Sequence, residues 1–319
     1  MDRPIVVSGA TGLQGGAVAR RLLAEGRSVR ILTRHPNSER ARALSAQGAA
    51  AIQADLQDLA SLREACRGAY GVFSVQDFWE HGYEREIRQG LNLIEAARAE
   101  TIEHFVYASV GGVGRTQDLG ITHFDTKAVI EAELKRSGLQ WTIYRPVTFL
   151  ENFTMEGPLQ RMFRTGAVSF PFPGDRPFQL LAVDDEAALV AAAFQRPAAF
   201  AGLELEIASD RRRLDELAAA IATASGMNLT FQEVPIEAFS AFVARTTDAG
   251  LTAKTKIGPS LVPQLTWNRA SATGGWNADM ARVRLLHSKL RTVEQWARSI
   301  DWAALAVQHS PVFEKGRSA

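Results

Sequence analysis

The stretch that decides the fold is Pro4-Ile5-Val6-Val7-Ser8-Gly9-Ala10-Thr11-Gly12-Leu13-Gln14-Gly15-Gly16. An apolar run enters a glycine-rich turn, and a helix-like segment from Ala17 to Glu25 follows. Strand, glycines, helix is the order a dinucleotide needs. Gly9 permits a tight turn, Gly12 lets the backbone approach a pyrophosphate, and Gly15 or Gly16 lets the helix lie close to the strand. Thr11, Leu13 and Gln14 stand between these glycines and join them as candidate cofactor contacts. The helix N-terminus offers N–H groups and a positive dipole end to the phosphates. The spacing is G-x-x-G-x-x-G rather than G-x-G-x-x-G.

Downstream the same rhythm repeats. Apolar runs at Val29–Leu32, Ala51–Ala54, Gly71–Val75, His104–Ala108 and Trp141–Tyr144 alternate with helical patterns near 37–47, 58–67, 81–99 and 123–137. Six strands alternating with helices predict an α/β fold: a doubly wound parallel Rossmann-type sheet, with ligands at the carboxyl ends of its strands. After residue 150 the rhythm changes. Prolines, glycines and phenylalanines crowd residues 166–178, Asp184 and Asp185 read as caps of an alanine-rich helix over 186–194, and Leu203–Ala208 alternates like a strand. Leu214–Ser225 reads as a helix stopped by Gly226, and Leu229–Val234 as a further strand. The expected division is a cofactor domain over 1–153, with a returning segment near 179–200, a smaller C-terminal α/β domain over 154–308 that closes a cleft, and a flexible tail over 309–319.

Composition narrows the partners. The 319 residues are 46% hydrophobic, enough for a large core, and 36 basic residues balance 35 acidic ones. A net charge of +1 gives no electrostatic reason to expect nucleic acid or an anionic membrane as partner. Arg211-Arg212-Arg213 reads as a solvated turn before a helix. A lone cysteine, Cys66, falls on the apolar face of a helical pattern, which points to a core position and a reducing compartment. The six histidines are scattered, no metal-ligand cluster is visible, and no eighteen-residue apolar run occurs, so the expectation is a soluble cytoplasmic protein.

The second strand bears on the cofactor. An NAD site wants an acid at its end for the ribose 2′-hydroxyl, whereas here Thr33-Arg34-His35-Pro36-Asn37-Ser38 precedes the first acid, Glu39. Arg34, aided by His35 and Ser38, suits a 2′-phosphate, so NADP(H) is preferred and NAD(H) stays possible. Asp55-Leu56 after the third strand is expected beside the adenine, with Asp55 also a candidate helix cap. Val75-Gln76 ends the fourth strand, toward the ribose and nicotinamide.

These features together resemble the NmrA-like family, atypical members of the extended short-chain dehydrogenase/reductase superfamily. The resemblance is carried by residues 9–16, by Thr33-Arg34-His35-Pro36, by 48–55, and by Phe78-Trp79-Glu80. It is carried further by His123-Phe124-Asp125-Thr126-Lys127, by Tyr144 to Phe153, by 214–226 and by Trp296, and spans roughly residues 4–302. It implies an NADP(H) domain with a small C-terminal domain over a cleft. It also implies one of two roles: a reductase of quinone or isoflavone type, or an NADP(H)-sensing regulator that binds a partner protein.

A typical short-chain reductase uses a serine, with tyrosine and lysine as Y-x-x-x-K on one helix, where a spacing of four places both on one face. By resemblance, Ser109 holds the serine position and Lys127 the lysine, but position 123 is His rather than Tyr. Lys127 then serves either as acid/base or only as a clamp on the ribose, and His123 is a second candidate donor because imidazole titrates near neutral pH. Pro146, Phe149 and Asn152 follow the sixth strand, where the superfamily borders the nicotinamide. Phe78, Trp79, Phe149, Phe153, Phe163, Phe170, Phe172 and Trp267 could line an apolar pocket for a flat aromatic or quinone-like ligand. Phe170 and Phe172, in a proline-rich loop, read as part of a lid.

Overall fold

A computed structural model of the protein describes residues 3–309. Strands and helices alternate through β1 (Ile5–Val7), α1 (Leu13–Ala24), β2 (Val29–Thr33), α2 (Glu39–Ala46), β3 (Ala50–Gln53), α3 (Leu59–Cys66), β4 (Gly71–Ser74), α4 (Phe78–Ala99), β5 (His104–Ala108), α5 (Thr122–Arg136) and β6 (Trp141–Pro146). Next come β7 (Thr148–Phe149), a 3-10 turn (Leu150–Phe153), α6 (Glu156–Thr165), β8 (Ala167–Phe170), β9 (Pro177–Leu181), α7 (Val183–Gln195), α8 (Pro197–Phe200) and β10 (Leu203–Ile207). The chain continues with β11 (Asp210–Arg213), α9 (Leu214–Ser225), β12 (Thr230–Glu233), α10 (Ile236–Asp248), α11 (Thr252–Thr255), α12 (Leu261–Ala270), α13 (Met280–Leu286), α14 (Val293–Ser299) and α15 (Trp302–His309). The expected tail from 310 onward lies outside the described residues.

The main sheet is parallel throughout, in the order β10-β6-β5-β4-β1-β2-β3. The reversal of strand order beside β1 is the doubly wound arrangement expected from the sequence. The central strands β1, β4 and β5 are covered on both faces, which is why they read as continuous apolar runs, whereas the edge strands β3 and β10 are partly exposed. Along β1, Ile5 and Val7 enter the core shared with α1 and α7, while Val6 enters the core shared with α3, α4 and α5. β5 divides likewise, Val106 and Ala108 to the first core and Phe105 and Tyr107 to the second. Each such buried aliphatic side chain contributes about 1.5–3 kcal/mol relative to exposure. Cys66 is fully buried in the second core, and burial pushes its thiol up to about 12, so it is an inert core residue.

Several local expectations are corrected. The sheet has seven strands, not six, because β10 returns to pair with β6 from Leu203↔Thr142 to Ile207↔Pro146. Arg211–Arg213 is not a solvated turn but part of β11, paired antiparallel with β9, while β9 also pairs with β7. Asp184 and Asp185 lie in the first turn of α7 rather than capping it; the N-cap is Ala182. The cap of α3 is Asp58, whose carboxylate accepts from Ala60 N at 3.0 Å, while Asp55 accepts from Gln57 N at 2.9 Å. β8 and β12 form a separate two-stranded pair.

Candidate dinucleotide site at the carboxyl edge of the sheet

Register places the site. Val7 is level with Ile31 on β2 and Phe73 on β4, so the glycine loop, Arg34 and Val75-Gln76 leave the sheet together. Gly9 has φ +60°, and a Cβ there would stand 2.7 Å from Val75 Cγ1. Ser8 fixes the same junction, its hydroxyl accepting from Val75 N at 2.8 Å and donating to Val75 O at 2.9 Å. A Cβ on Gly15 would lie 2.4 Å from the Gly9 carbonyl and from Ser8 O, so α1 starts closer to the loop than any other residue allows. Gly12 is the N-cap of α1 and offers no side chain, leaving the amides of Leu13, Gln14 and Gly15 uncapped. Gly12 and Leu13 are exposed at this edge, while Thr11 and Gln14 are half-buried.

These features fit a dinucleotide phosphate: a cradle that one methyl group would fill, and an open positive helix end. A second sign is Gln76. Its Nε2 donates to Ser74 Oγ at 2.8 Å, but its buried Oε1 has no hydrogen-bond partner among the described residues. Asp55 and Leu56, just after β3, are half-buried, with Leu56 O accepting from Asn92 Nδ2 at 3.0 Å.

Beyond β2 the charges are already shared. Exposed Arg34 donates to Glu80 of α4 at 2.6 Å, and this bond holds the Glu80 carboxyl below its usual value. Ser38 is the N-cap of α2, accepting from Ala41 N, and His35 is exposed. Arg40, which the sequence reading passed over, reaches back from α2 to donate to Thr11 O at 3.1 Å. Its only sequence signal was its place in the first turn after Ser38.

The first turns of α4 and α5 meet at the same edge. Gly82, at φ 72° and ψ −175°, kinks α4 just after its first turn. Beyond the kink Glu86, 0% exposed, accepts from Lys127 Nζ at 2.7 Å and from Thr126 Oγ1 at 2.5 Å. The Lys127 side chain is 13% exposed. Glu86 was missed in the sequence because it is one acid among many charged residues of α4, with a partner 41 positions away.

The other two expected proton carriers sit differently. Ser109 is buried and donates to Glu131 Oε1 at 2.5 Å. Glu131 in turn receives Arg145 at 2.8 and 2.5 Å. His123 is buried, and its backbone N–H donates to Ser260 Oγ at 3.2 Å. Gln264 Oε1 can only accept, so Nε2–H donates to it at 3.0 Å, and in the neutral ring Nδ1 accepts from the Ser260 hydroxyl at 2.5 Å. Burial, with the nearby Lys127 charge, pulls the ring down to about 3 against the Gln264 bond. The expectation of a ring titrating near neutrality thus fails: His123 is neutral and clasps the loop before α12. Lys256 pairs with Asp77 alongside it, and Trp79 packs near Gly258.

Aromatic rings form a wall next to this clasp. Phe78 and Trp79 pack against His123 in tilted contacts, with ring centroids at 5.7 and 5.0 Å, and Phe124 contacts Trp267 and Trp276, each at 6.1 Å. Phe178 continues the chain to Phe170 and Phe172, and Phe170 meets Phe153. Phe153 and Phe172 are buried, so the expected lid residue Phe172 is core; Phe170, half-buried, packs on the same cluster. Phe149 and Asn152 are half-buried beyond β6, and Pro146 is buried at its end.

The doubly wound parallel sheet and the glycine loop at its central strand define a Rossmann-type fold. The chain belongs to the NmrA-like family, whose pattern matches residues 1–257. An NmrA-like family domain-containing oxidoreductase of Aspergillus hancockii is 31% identical over 264 residues, 75% of this chain and 77% of that protein. NmrA, a negative transcriptional regulator solved in complex with NAD, matches with a TM-score of 0.76 at 18% identity, over 96% of this chain and 98% of that one. The NADPH-dependent quinone oxidoreductase of Escherichia coli, solved with NADPH, matches with a TM-score of 0.72 at 22% identity, over 92% and 99% of the two chains. Identities this low speak for the shared fold alone. Among the described residues no helix is long and apolar enough to cross a membrane, and no cluster of His, Cys, Asp or Glu is placed to hold a metal.

Proposed function

We propose that the protein binds NADP(H) at the glycine loop and reduces a flat conjugated carbonyl compound, such as a quinone, enone or aromatic ketone. The observation that carries this reading is the Lys127–Glu86 pair. It is a fixed, nearly buried ammonium on the helix that leaves the sheet's ligand edge, close to the aromatic wall. Bound NADPH supplies the hydride. The chain's own residues do the rest: the glycine loop and α1 amides bind phosphate, and Arg34 with Ser38 and Arg40 faces the adenosine end. Lys127 Nζ donates a proton to the substrate oxygen as it gains negative charge, and Glu86 and Thr126 hold that nitrogen in place. The aromatic side chains exclude water and favour a flat ligand. Relatives named as oxidoreductases support the same reading.

A second reading is favoured by His123. With a neutral, doubly hydrogen-bonded ring where a short-chain reductase has its tyrosine, the protein would sense NADP(H) and report it to a partner protein. NADPH oxidation against a panel of quinones and enones, repeated with Lys127→Ala, separates the two. Turnover that falls at least tenfold in the variant supports the reductase. Tight NADPH binding with no turnover on any panel member refutes it in favour of the sensor.

A further inference from the structure

We propose that dinucleotide binding at the glycine loop is coupled to uptake of a proton by two neighbouring carboxyls, buried Glu186 and half-buried Glu151. The inference rests on the reading of that loop as a dinucleotide site. Glu186, in the first turn of α7, is 0% exposed, and α7 lies along α1. Its neighbour across the interface is Gln14, whose carboxamide, oriented for donation, places Nε2 at 3.0 and 3.2 Å from the two Glu186 oxygens. Gln14 is the second residue of α1, between Leu13 and Gly15, whose backbone amides are open to an anion. Glu151, just after β7, accepts from Val183 N and from the Trp296 indole N–H, each at 3.1 Å. The pair therefore joins the phosphate-facing turn of α1 to α7 and to α14 of the C-terminal region.

Among the described residues the hydrogen-bond partners of the two carboxyls are neutral: an amide, a backbone N–H and an indole. The charged groups nearby are engaged elsewhere. Arg291 bonds Asp184 through its guanidinium at 2.7 Å and Asp185 through its backbone N–H at 2.8 Å, and Asp185 is also the acid that His287 feels. On α1, Arg21 pairs with Glu25. Arg196, after α7, lies over the Phe200 ring. From the strands beneath α7, Tyr144 donates its hydroxyl to Leu189 O and is held protonated by burial, and His104 is kept neutral by burial. Asp184 adds further negative charge toward Glu151.

With no cation hydrogen-bonded to either among the described residues, and Glu186 fully buried, ionising both carboxyls is costly. Burial raises Glu151 to about 7, and burial together with Glu151 raises Glu186 to about 8. The pair thus exchanges protons in the range where a cell works. Phosphates arriving at the α1 N-terminus add negative charge beside Gln14 and raise the pair's hold on its proton. A group whose affinity for protons rises on binding makes the ligand bind more tightly as pH falls.

The test is isothermal titration calorimetry of the full chain with NADP+ between pH 7 and pH 9, in buffers of different ionisation enthalpy. In this range the nucleotide's own 2′-phosphate has largely finished titrating. If binding raises the carboxyl by one unit from 8, about 0.4 proton enters per site at pH 8 and Kd weakens about fivefold from pH 7 to pH 9. Glu186→Gln keeps the shape, and should lose the uptake centred near pH 8, leaving only the share that Glu151, at about 7, takes up at the lower end of the range. Glu151→Gln removes the like charge and should move the uptake to lower pH. Wild-type heats that do not depend on the buffer, or full uptake retained in Glu186→Gln, overturn the coupling while leaving the dinucleotide site standing. Absence of any NADP+ or NADPH binding refutes the reading of the loop itself, and the coupling with it.

Discussion

Replacing Lys127 with methionine isolates a buried charge. Glu86 is 0% exposed and has two hydrogen-bonded partners, the Lys127 ammonium at 2.7 Å and the Thr126 hydroxyl at 2.5 Å. Breaking a buried ion pair from one side costs about 3–5 kcal/mol, since the remaining charge keeps its desolvation penalty without its partner. Thr126 still donates in Lys127→Met, so the expected loss lies at the lower end, about 3 kcal/mol. Glu86→Gln strands an ammonium whose side chain is 13% exposed and reaches water, so its loss is smaller, about 1–2 kcal/mol. The double variant carries no unpaired charge and should fall within about 2 kcal/mol of the wild type. The two changes are thus non-additive by about 2 kcal/mol or more. Urea unfolding at constant m-value measures all four proteins. Additive losses below about 1 kcal/mol would show that the pair is not buried and that Lys127 has no fixed direction.

Three other perturbations address the same edge of the sheet. Gly15→Ala drives a methyl into the Gly9 carbonyl and Ser8 O at 2.4 Å, so it should abolish dinucleotide binding and cost about 3 kcal/mol; wild-type affinity would contradict the close approach. Glu80→Gln releases Arg34 from its 2.6 Å bond and should tighten NADPH several-fold by fluorescence titration, roughly 1 kcal/mol, while an unchanged Kd would mean that Glu80 does not compete for that guanidinium. His123→Phe tests the clasp through pH. The folded ring is depressed to about 3 from 6.5, so the stability it contributes is full above pH 6.5 and is lost as pH falls toward 3, at about 1.4 kcal/mol per unit. The wild-type advantage over His123→Phe should shrink along that slope from pH 6.5 to pH 4 in thermal or urea unfolding; a flat difference would mean a ring open to protonation.

The alternating first half was legible because each element carries its own signal: a short apolar run, a turn, then a helical stripe. Glycines with backbone on three sides, such as Gly15, announce themselves in spacing alone. What escaped the sequence depends on partners distant along the chain. Leu203–Ile207 alternates like a half-covered strand, and only its place beside β6 makes it the edge of the main sheet. Arg211–Arg213 looks like a solvated cluster, yet Arg212 pairs with Asp210 and Glu294 while its backbone extends β9's sheet. Phe172 sits among prolines but is buried by Phe178, which lies in another element. Glu86 and Glu186 are acids on helices with other acids nearby. Their burial follows from helix packing, α4 on α5 and α7 on α1, which no local pattern records. His123 was legible as a departure from Y-x-x-x-K, but its neutral state comes from Ser260 and Gln264, more than a hundred residues later.

The proposed function stands or falls with an NADP(H) site formed by the glycine loop and Arg34. Calorimetric titration of the wild type and Arg34→Asp with NADPH and NADH tests it most directly. Wild type should bind NADPH more tightly than NADH, and Arg34→Asp should lose at least tenfold in NADPH affinity with little change for NADH. Equal losses for both nucleotides, or a wild type that binds neither, would contradict it.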